Sequence, residues 1–224
     1  MESYKTSQVD RIADLPMDPP DIVSGIVKMT YAGAPALFWR QRSLAGDATS
    51  LNEELRSNVE RLLPQGMDVK VVGIENLTAY EQPLIVNYQV KGAIGSATGK
   101  RLFYPGDLFE TNSKAAFPDE KRDIPVYFHY PSTTLDAVRV KFPANFSVES
   151  SPASAKYQFK DLAAYTEEAS SAPGSVTVRR DYVRGSILFF PKEYSDLRSF
   201  YSKMETQDQG SVVLETGPAT SGAN

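Results

Sequence analysis

Residues 90–107, VKGAIGSATGKRLFYPGD, carry a run of glycines and a lysine of the kind that wraps a phosphate. A phosphate loop needs two glycines separated by four residues, then Lys and Ser or Thr. Backbone N–H groups must cradle the phosphate while the Lys and the hydroxyl reach its outer oxygens and Mg²⁺. Here Gly95 stands one place too close to Gly99, Ile94 occupies the position of the first glycine, and Arg101 replaces the hydroxyl after Lys100. The flanking segments PLIVNYQV and RLFY alternate like two antiparallel strands, not like a strand feeding a helix. The stretch is therefore expected to be a hairpin loop without a nucleotide.

The other candidate chemistry is sparse. His129, in IPVYFHYP, is the single histidine, and no Gly-x-Ser-x-Gly elbow presents a serine to it. Adjacent carboxylates, Asp119 with Glu120 and Glu167 with Glu168, point to opposite faces of a strand and so do not converge on one substrate oxygen. One His, no Cys and no Asp/Asn-patterned loop make neither an ordinary zinc site nor a calcium loop. The lack of cysteine also removes thiol catalysis and disulfides. No catalytic residue, metal ligand or cofactor is expected. What remains is an aromatic middle, in which Tyr127 and His129 should share one strand face and Phe128 and Tyr130 the other. Core packing is the default fate of such rings, but amphipathic tyrosines in solvent can stack on a sugar or a peptide. That leaves Tyr127, His129 and Tyr130 as the candidate binding residues.

Composition sets the outer limits. The 224 residues are 41% hydrophobic and 11% aromatic, enough to fill one core or two small ones. A net charge of -4 without a Lys/Arg cluster disfavours nucleic acid and anionic lipid. No apolar run approaches the roughly 20 residues of a spanning helix, and MESYKTSQVD has no apolar signal region.

The elements that must hold these residues are mostly strands. Residues 1–20 end in LPMDPP and read as an extended, proline-rich lead-in. IVSGIVKMTYAG and APALFWRQRS read as two strands joined at Gly33. DATSLNEELRSNVERLLPQG predicts a helix over about 50–63, with a Ser50/Glu53 capping box and a Leu51, Leu55, Val59, Leu62 stripe. Many short Val-, Ile-, Phe- and Tyr-rich segments follow. A last helix over about 192–204 then puts Tyr194, Leu197, Tyr201 and Met204 on one face. The expected fold is mainly β, an antiparallel β-sandwich with these two helices. Residues 21–215 form one elongated domain, or two lobes meeting near 111–121, and residues 216–224 are a disordered tail.

The order of segments resembles a known family. GIVKMTYAGAPALFWRQ, the capped helix, VVGIENLTAYEQPLIVNYQVKG, PGDLFE, RDIPVYFHYP, VRVKFPANFSVESSP and PKEYSDLRSFYSKMETQDQGSVVLE resemble the C-terminal region of large bacterial transglutaminase-like proteins. In that family an N-terminal β domain of unknown function precedes a transglutaminase-like domain and a β-rich C-terminal domain. The resemblance spans about residues 20–214 and rests on structural signatures, chiefly the Arg122-x-x-Pro125-Val126 strand start, the Pro143–Pro152 turn and the Glu193-Tyr194 to Leu197-Arg198 helix. The catalytic Cys, His and Asp of such proteins would lie in another module, so this chain is not expected to be an enzyme. The resemblance implies a non-catalytic accessory domain, periplasmic, with a transglutaminase-like domain in the same polypeptide as partner or a protein or peptide as ligand. A carbohydrate-binding or hydrolase module centred near His129 is the alternative.

Overall fold

Alternation builds the centre of the molecule. In strand β1 (Gln8–Asp18) Arg11, Ala13, Leu15 and Met17 are buried while Ile12, Pro16 and Asp18 face out. In β2 (Ile22–Ala32) the buried set is Val23, Val27, Met29 and Tyr31. The period of two sends every second side chain to one face, and that face is covered. The computed structural model describes residues 6–217. Its remaining strands are β3 (Asp68–Glu75), β4 (Leu84–Ala93), β5 (Ser96–Thr98), β6 (Arg101–Pro105), β7 (Val126–Tyr127), β8 (Ser132–Lys141) and β9 (Phe146–Ser150). They continue with β10 (Ala155–Phe159), β11 (Ala163–Ala172), β12 (Ser175–Arg184), β13 (Leu188–Phe189) and β14 (Ser211–Thr216). The helices are α1 (Ala34–Ala45), α2 (Ala48–Glu60) and α3 (Tyr194–Asp208).

The fold is mainly β. An eight-stranded sheet runs β10-β11-β12-β8-β1-β2-β4-β3, and its pairings are antiparallel except that β1 lies parallel to β8. A four-stranded sheet, β5-β6-β14-β9, sends Leu102, Tyr104, Val212 and Leu214 into the same core as the large sheet. Helices α1 and α2 close that core with Ala36, Trp39, Leu51, Leu55 and Val59. A second buried cluster lies beneath α3, where Tyr194, Leu197, Phe200, Tyr201 and Met204 meet Phe159, Tyr165, Tyr182 and Phe189. All four residues of the expected α3 stripe are buried.

Several local expectations change. The proline-rich lead-in is extended, but residues 8–18 form β1, an interior strand, not a linker. Pro16 is tolerated there because the β1–β2 ladder is interrupted between the Asp14↔Ile26 and Met17↔Val23 pairs, so its missing N–H removes no bond to β2. Gly25 lies within that gap, where a Cβ would come within 2.2 Å of the Asp14 carbonyl oxygen. APALFWRQRS is helix α1, not a strand. Pro35 sits in its first turn, the one place where a proline's lack of N–H costs nothing, and Ala, Leu, Arg and Gln favour the helix. Helix α2 starts earlier than the Ser50 box suggests: Asp47 is the cap, its carboxylate accepting from the Ser50 N–H at 2.8 Å.

The glycine stretch does contain a tight hairpin, though not the one expected. β4 and β6 belong to different sheets, and it is β5 that pairs with β6, with Thr98 opposite Arg101 across a turn at Gly99, whose φ is 62°. IPVYFHY is strand only at Val126–Tyr127. The polar AAYTEEASSA, which carries little apolar alternation, is strand β11. The expected tail lies outside the described residues beyond residue 217, while Thr216 ends β14.

Leu197 is fully buried on α3 and Ser199 is exposed. Leu197→Ala should cost on the order of 2–4 kcal/mol, whereas Ser199→Ala should leave the denaturation midpoint near that of the unmodified protein. Equal midpoints for the two variants in urea would show that α3 does not help hold the fold together.

Candidate functional site

The register of the large sheet places charges opposite one another on its covered face. Glu167 of β11 stands across from Arg180 of β12, Arg180 across from Asp136 of β8, and Asp136 across from Arg11 of β1. The row thus alternates sign over four neighbouring strands. From above it is met by Asp107 and Glu110, which flank and end the 3-10 turn Leu108–Glu110, and by Asp208 in the last turn of α3.

The bonds are short and several are two-pronged. Arg11 donates to both oxygens of Asp136 at 2.6 Å and to Glu110 Oε1 at 2.6 Å. Arg180 donates to the two oxygens of Asp208 at 2.7 and 3.0 Å and to Asp136 Oδ2 at 3.3 Å. Tyr165 stands beside the row on the same face: its hydroxyl lies 2.7 Å from Asp208 and 3.0 Å from Glu167, and its ring faces the Arg180 guanidinium. Gln207 completes Glu167 by donating at 2.8 Å. Planar guanidiniums suit this task because one fork can hold a carboxylate at two points. The row also marks where the two apolar clusters meet, with Val138 and Val178 on one side and Tyr165 and Tyr182 on the other.

Burial and like charge shift these groups. The Asp107 carboxyl is pushed well above its ordinary range by burial and by nearby Asp136, against the pull of Arg11 and Arg180. Burial also raises Glu167 and Asp208, the latter despite the bonds from Arg180. Glu110 goes the other way: burial opposes its charge, but Arg11 and Arg180 outweigh it and hold the carboxyl below its usual value. Asp107 Oδ1 accepts from the Phe109 N–H at 2.9 Å, while its Oδ2 has no hydrogen-bond partner among the described residues.

Above this floor lie two clefts. One, of about 660 Å³, is bounded by Arg11, Glu110, Lys114, Arg180, Glu205 and Asp208, with Tyr182 and Tyr201, whose hydroxyls are hydrogen-bonded, in its wall. The other, of about 310 Å³, is walled by Tyr31, Phe38, Trp39, Leu62 and Tyr130. Burial pushes the Tyr31 phenol up to about 12. Arg11 and Thr134 line both clefts.

The three residues singled out from the sequence separate. Tyr130 turns into the aromatic cleft, and its carbonyl accepts from Arg184 at 3.0 Å. Tyr127 and His129 stay on the outer face, edge to face at 5.8 Å, with Tyr127 60% exposed. The charged row was not among the expected features. Its signal in the sequence is slight: isolated charges, Arg11, Asp136 and Arg180, each standing where its own strand's alternation calls for a core residue. Among the described residues no group of three or more His, Cys, Asp or Glu is placed to hold a metal ion. Nor is any helix among them long and apolar enough to cross a membrane.

Comparison with known proteins places most of this row. Residues 100–214, just over half of the chain, match a domain of unknown function with a solved structure, DUF3858. The chain belongs to the DUF3858 family. The DUF3858 region contains every member of the charged network except Arg11, and the aromatic wall except Tyr130 comes from residues before it. No curated protein matches the chain. A crystal structure of a proposed protease from Parabacteroides distasonis aligns with 53% of the chain at 15% identity and a TM-score of 0.42, and the alignment spans 24% of that protein's length.

Two predictions follow from the row. Arg11→Met leaves Asp136 and Glu110 with only Arg180, at 3.3 and 3.8 Å, and should cost about 3–5 kcal/mol in urea denaturation; a cost below about 1 kcal/mol would contradict the ion-pair geometry. The second concerns pH. A raised native pKa at Asp107 means that its contribution is intact below the ordinary carboxyl value of about 3.9 and is lost as pH rises towards the native value. Glu110, with a lowered value, contributes above its ordinary value of about 4.3 and loses that contribution as the pH falls. Asp107→Asn keeps the oxygen that accepts from Phe109 and removes the titration. It should flatten the decline in thermal midpoint as the pH rises above the ordinary carboxyl value of about 3.9, whereas an unchanged slope would show that Asp107 does not contribute to it.

Proposed function

We propose that the chain is a non-catalytic accessory domain of a transglutaminase-like protein, exported to the periplasm. There it positions a catalytic neighbour in the same polypeptide or binds a protein or peptide. The sequence resemblance supports the context, and membership of a family of unknown function is compatible with it. The observation that carries the binding role is the double cleft over the charged row. The row's guanidiniums and most of its carboxylate oxygens are engaged with one another, so the floor is a fixed surface and not a set of groups free for acid–base work. Thiol chemistry of the transglutaminase kind is closed to a chain with no cysteine.

A carbohydrate-binding or hydrolase module near His129 is the second reading. It is favoured by the exposed Tyr127 and His129 pair and by exposed Ile124, Leu188 and Phe190 in the neighbouring segments. One experiment separates the two. Trp39 is the only tryptophan and lies in the aromatic cleft, so its fluorescence reports on binding there. Titration with a peptic digest of casein should give a saturable change, and mass spectrometry should find the peptides intact afterwards. Peptide or oligosaccharide cleavage that disappears in His129→Ala would sink the accessory reading and support the hydrolase.

A further inference from the structure

Two acidic segments converge on one guanidinium beneath the larger cleft. The Gly106 N–H donates to the Gly210 carbonyl at 2.8 Å, so the turn that carries Asp107 runs beside the end of α3 that carries Asp208. Arg180 Nε lies 2.7 Å from Asp208 Oδ1 and 3.9 Å from Asp107 Oδ2. Its other nitrogens are taken as well, one by Asp208 Oδ2 at 3.0 Å and one by Asp136 Oδ2 at 3.3 Å. Asp107 is 2% exposed, and its Oδ2 has no hydrogen-bond partner among the described residues. Among those residues Arg180 is the cation closest to it. The other charges that face Asp107 are Asp136 of β8, Arg11 of β1 and Glu110 of its own turn, with Asp208 of α3 on the same guanidinium.

Ionisation changes what the unpartnered oxygen requires. A neutral carboxyl is far cheaper to bury without a donor than a carboxylate is. The Arg180 Nε–H reaches Oδ2 at ordinary hydrogen-bond distance after a movement of about 1 Å. One N–H cannot serve two acceptors at full strength, so the fork on Asp208 loses a prong. Asp208 keeps the Tyr165 hydroxyl at 2.7 Å and is not left without a donor by the exchange. The last turn of α3 is then held by the bonds of Gln207 to Ala153 and Glu167, with Gly210 as a pivot just beyond it.

We propose that Asp107 is a proton-operated latch on the larger cleft: with its proton it leaves Arg180 to Asp208 and keeps α3 closed on the sheet, and without it draws the Arg180 Nε–H away and loosens the last turn of α3. Tyr201, Met204, Glu205 and Asp208 of that helix wall the cleft, so the same step widens it. The device does not depend on the accessory-domain reading or on what occupies the cleft. Burial and Asp136 hold the Asp107 carboxyl well above its ordinary value, so the closed arrangement is intact below about 3.9 and is lost as the pH rises towards the native value. Glu110, held below its ordinary value, is already ionised over that rise and does not drive it. Glu167 and Asp208, raised by burial, lose protons in the same direction, but an ionised Asp208 tightens its hold on Arg180 and so opposes opening.

The test is a pH series on the full chain, upward from about 3.9, read by NMR at the Asp107 carboxyl carbon, the Arg180 Nε–H and the amides of residues 204–209. Amide exchange is corrected for its intrinsic pH dependence and referred to Leu55 and Val59 in α2. The Arg180 signal should move with the midpoint of the Asp107 carbon, and protection at residues 204–209 should fall about tenfold while Leu55 and Val59 hold theirs. Asp107→Asn, which keeps the oxygen that accepts from Phe109 and cannot ionise, should stay protected throughout. An Arg180 signal indifferent to the Asp107 titration, steady protection through it, or an Asp107 that keeps its proton until the chain unfolds would overturn the latch. These three results come from the unmodified protein and stand whether or not the variant folds. The same fall in protection in a folded Asp107→Asn would overturn it too, by assigning the change to Glu167 or Asp208.

Discussion

Arg180 is the residue on which the structure turns. It is 3% exposed, sits on a central strand of the large sheet, and reaches both Asp136 on the next strand and Asp208 at the end of α3. A buried guanidinium without partners is expensive, so the elements around it are constrained to bring carboxylates within reach. The register of β8 against β12, the parallel placement of β1 and the position of Asp208 in the last turn of α3 all satisfy that requirement together. A slip of one residue in β1 would turn Arg11 out to solvent and Ile12 in, leaving Asp136 half paired. Buried ion pairs of this kind often add little net stability over apolar substitutes, and their value lies in making alternatives costly.

The same constraint gives the clefts their character. Because the charges are locked beneath, the surface above them keeps its shape, and the loop of residues 111–116 and the end of α3 are held at a fixed height over the sheet through Glu110, Asp208 and the bond from Ala116 to Glu205. The aromatic cleft depends on a different anchor. Arg40, buried in α1, donates to the carbonyls of Asn76, Leu77, Ala79 and Gln82 and so ties the loop before β4 to the helix that carries Phe38 and Trp39. One end of the site is thus fixed by side-chain carboxylates and the other by backbone carbonyls.

Much of the fold is legible in the sequence because burial on one face leaves a period. The strand character of Ile22–Ala32 and Leu84–Ala93 and the stripe of α3 follow directly from alternation and helical spacing. Helix α1 is harder to read because its buried face includes Arg40, while Leu37 and Phe38 face out. β1 is masked by Pro16, whose cost is removed by the interrupted ladder opposite Gly25, a tertiary feature. The site is the least legible part. Arg11 and Asp136 are 125 residues apart, Arg180 and Asp136 are 44 apart, and each alone is an ordinary surface charge until strand order places it inside. Tyr130 stands out in the sequence for its aromatic neighbours, yet its cleft is built by residues from β1, β2, α1 and α2.

The coupling between Arg180 and Asp208 joins α3 to the sheet. A double-mutant cycle of Arg180→Met, Asp208→Leu and the pair, measured by urea denaturation, tests it most directly. Each single change should cost about 3–5 kcal/mol, and the double change should recover part of the loss, giving a coupling energy on the order of 1–3 kcal/mol. Costs that add to within about 0.5 kcal/mol would mean the two groups do not depend on each other, and the charged row would not be what holds the two halves of the core in register.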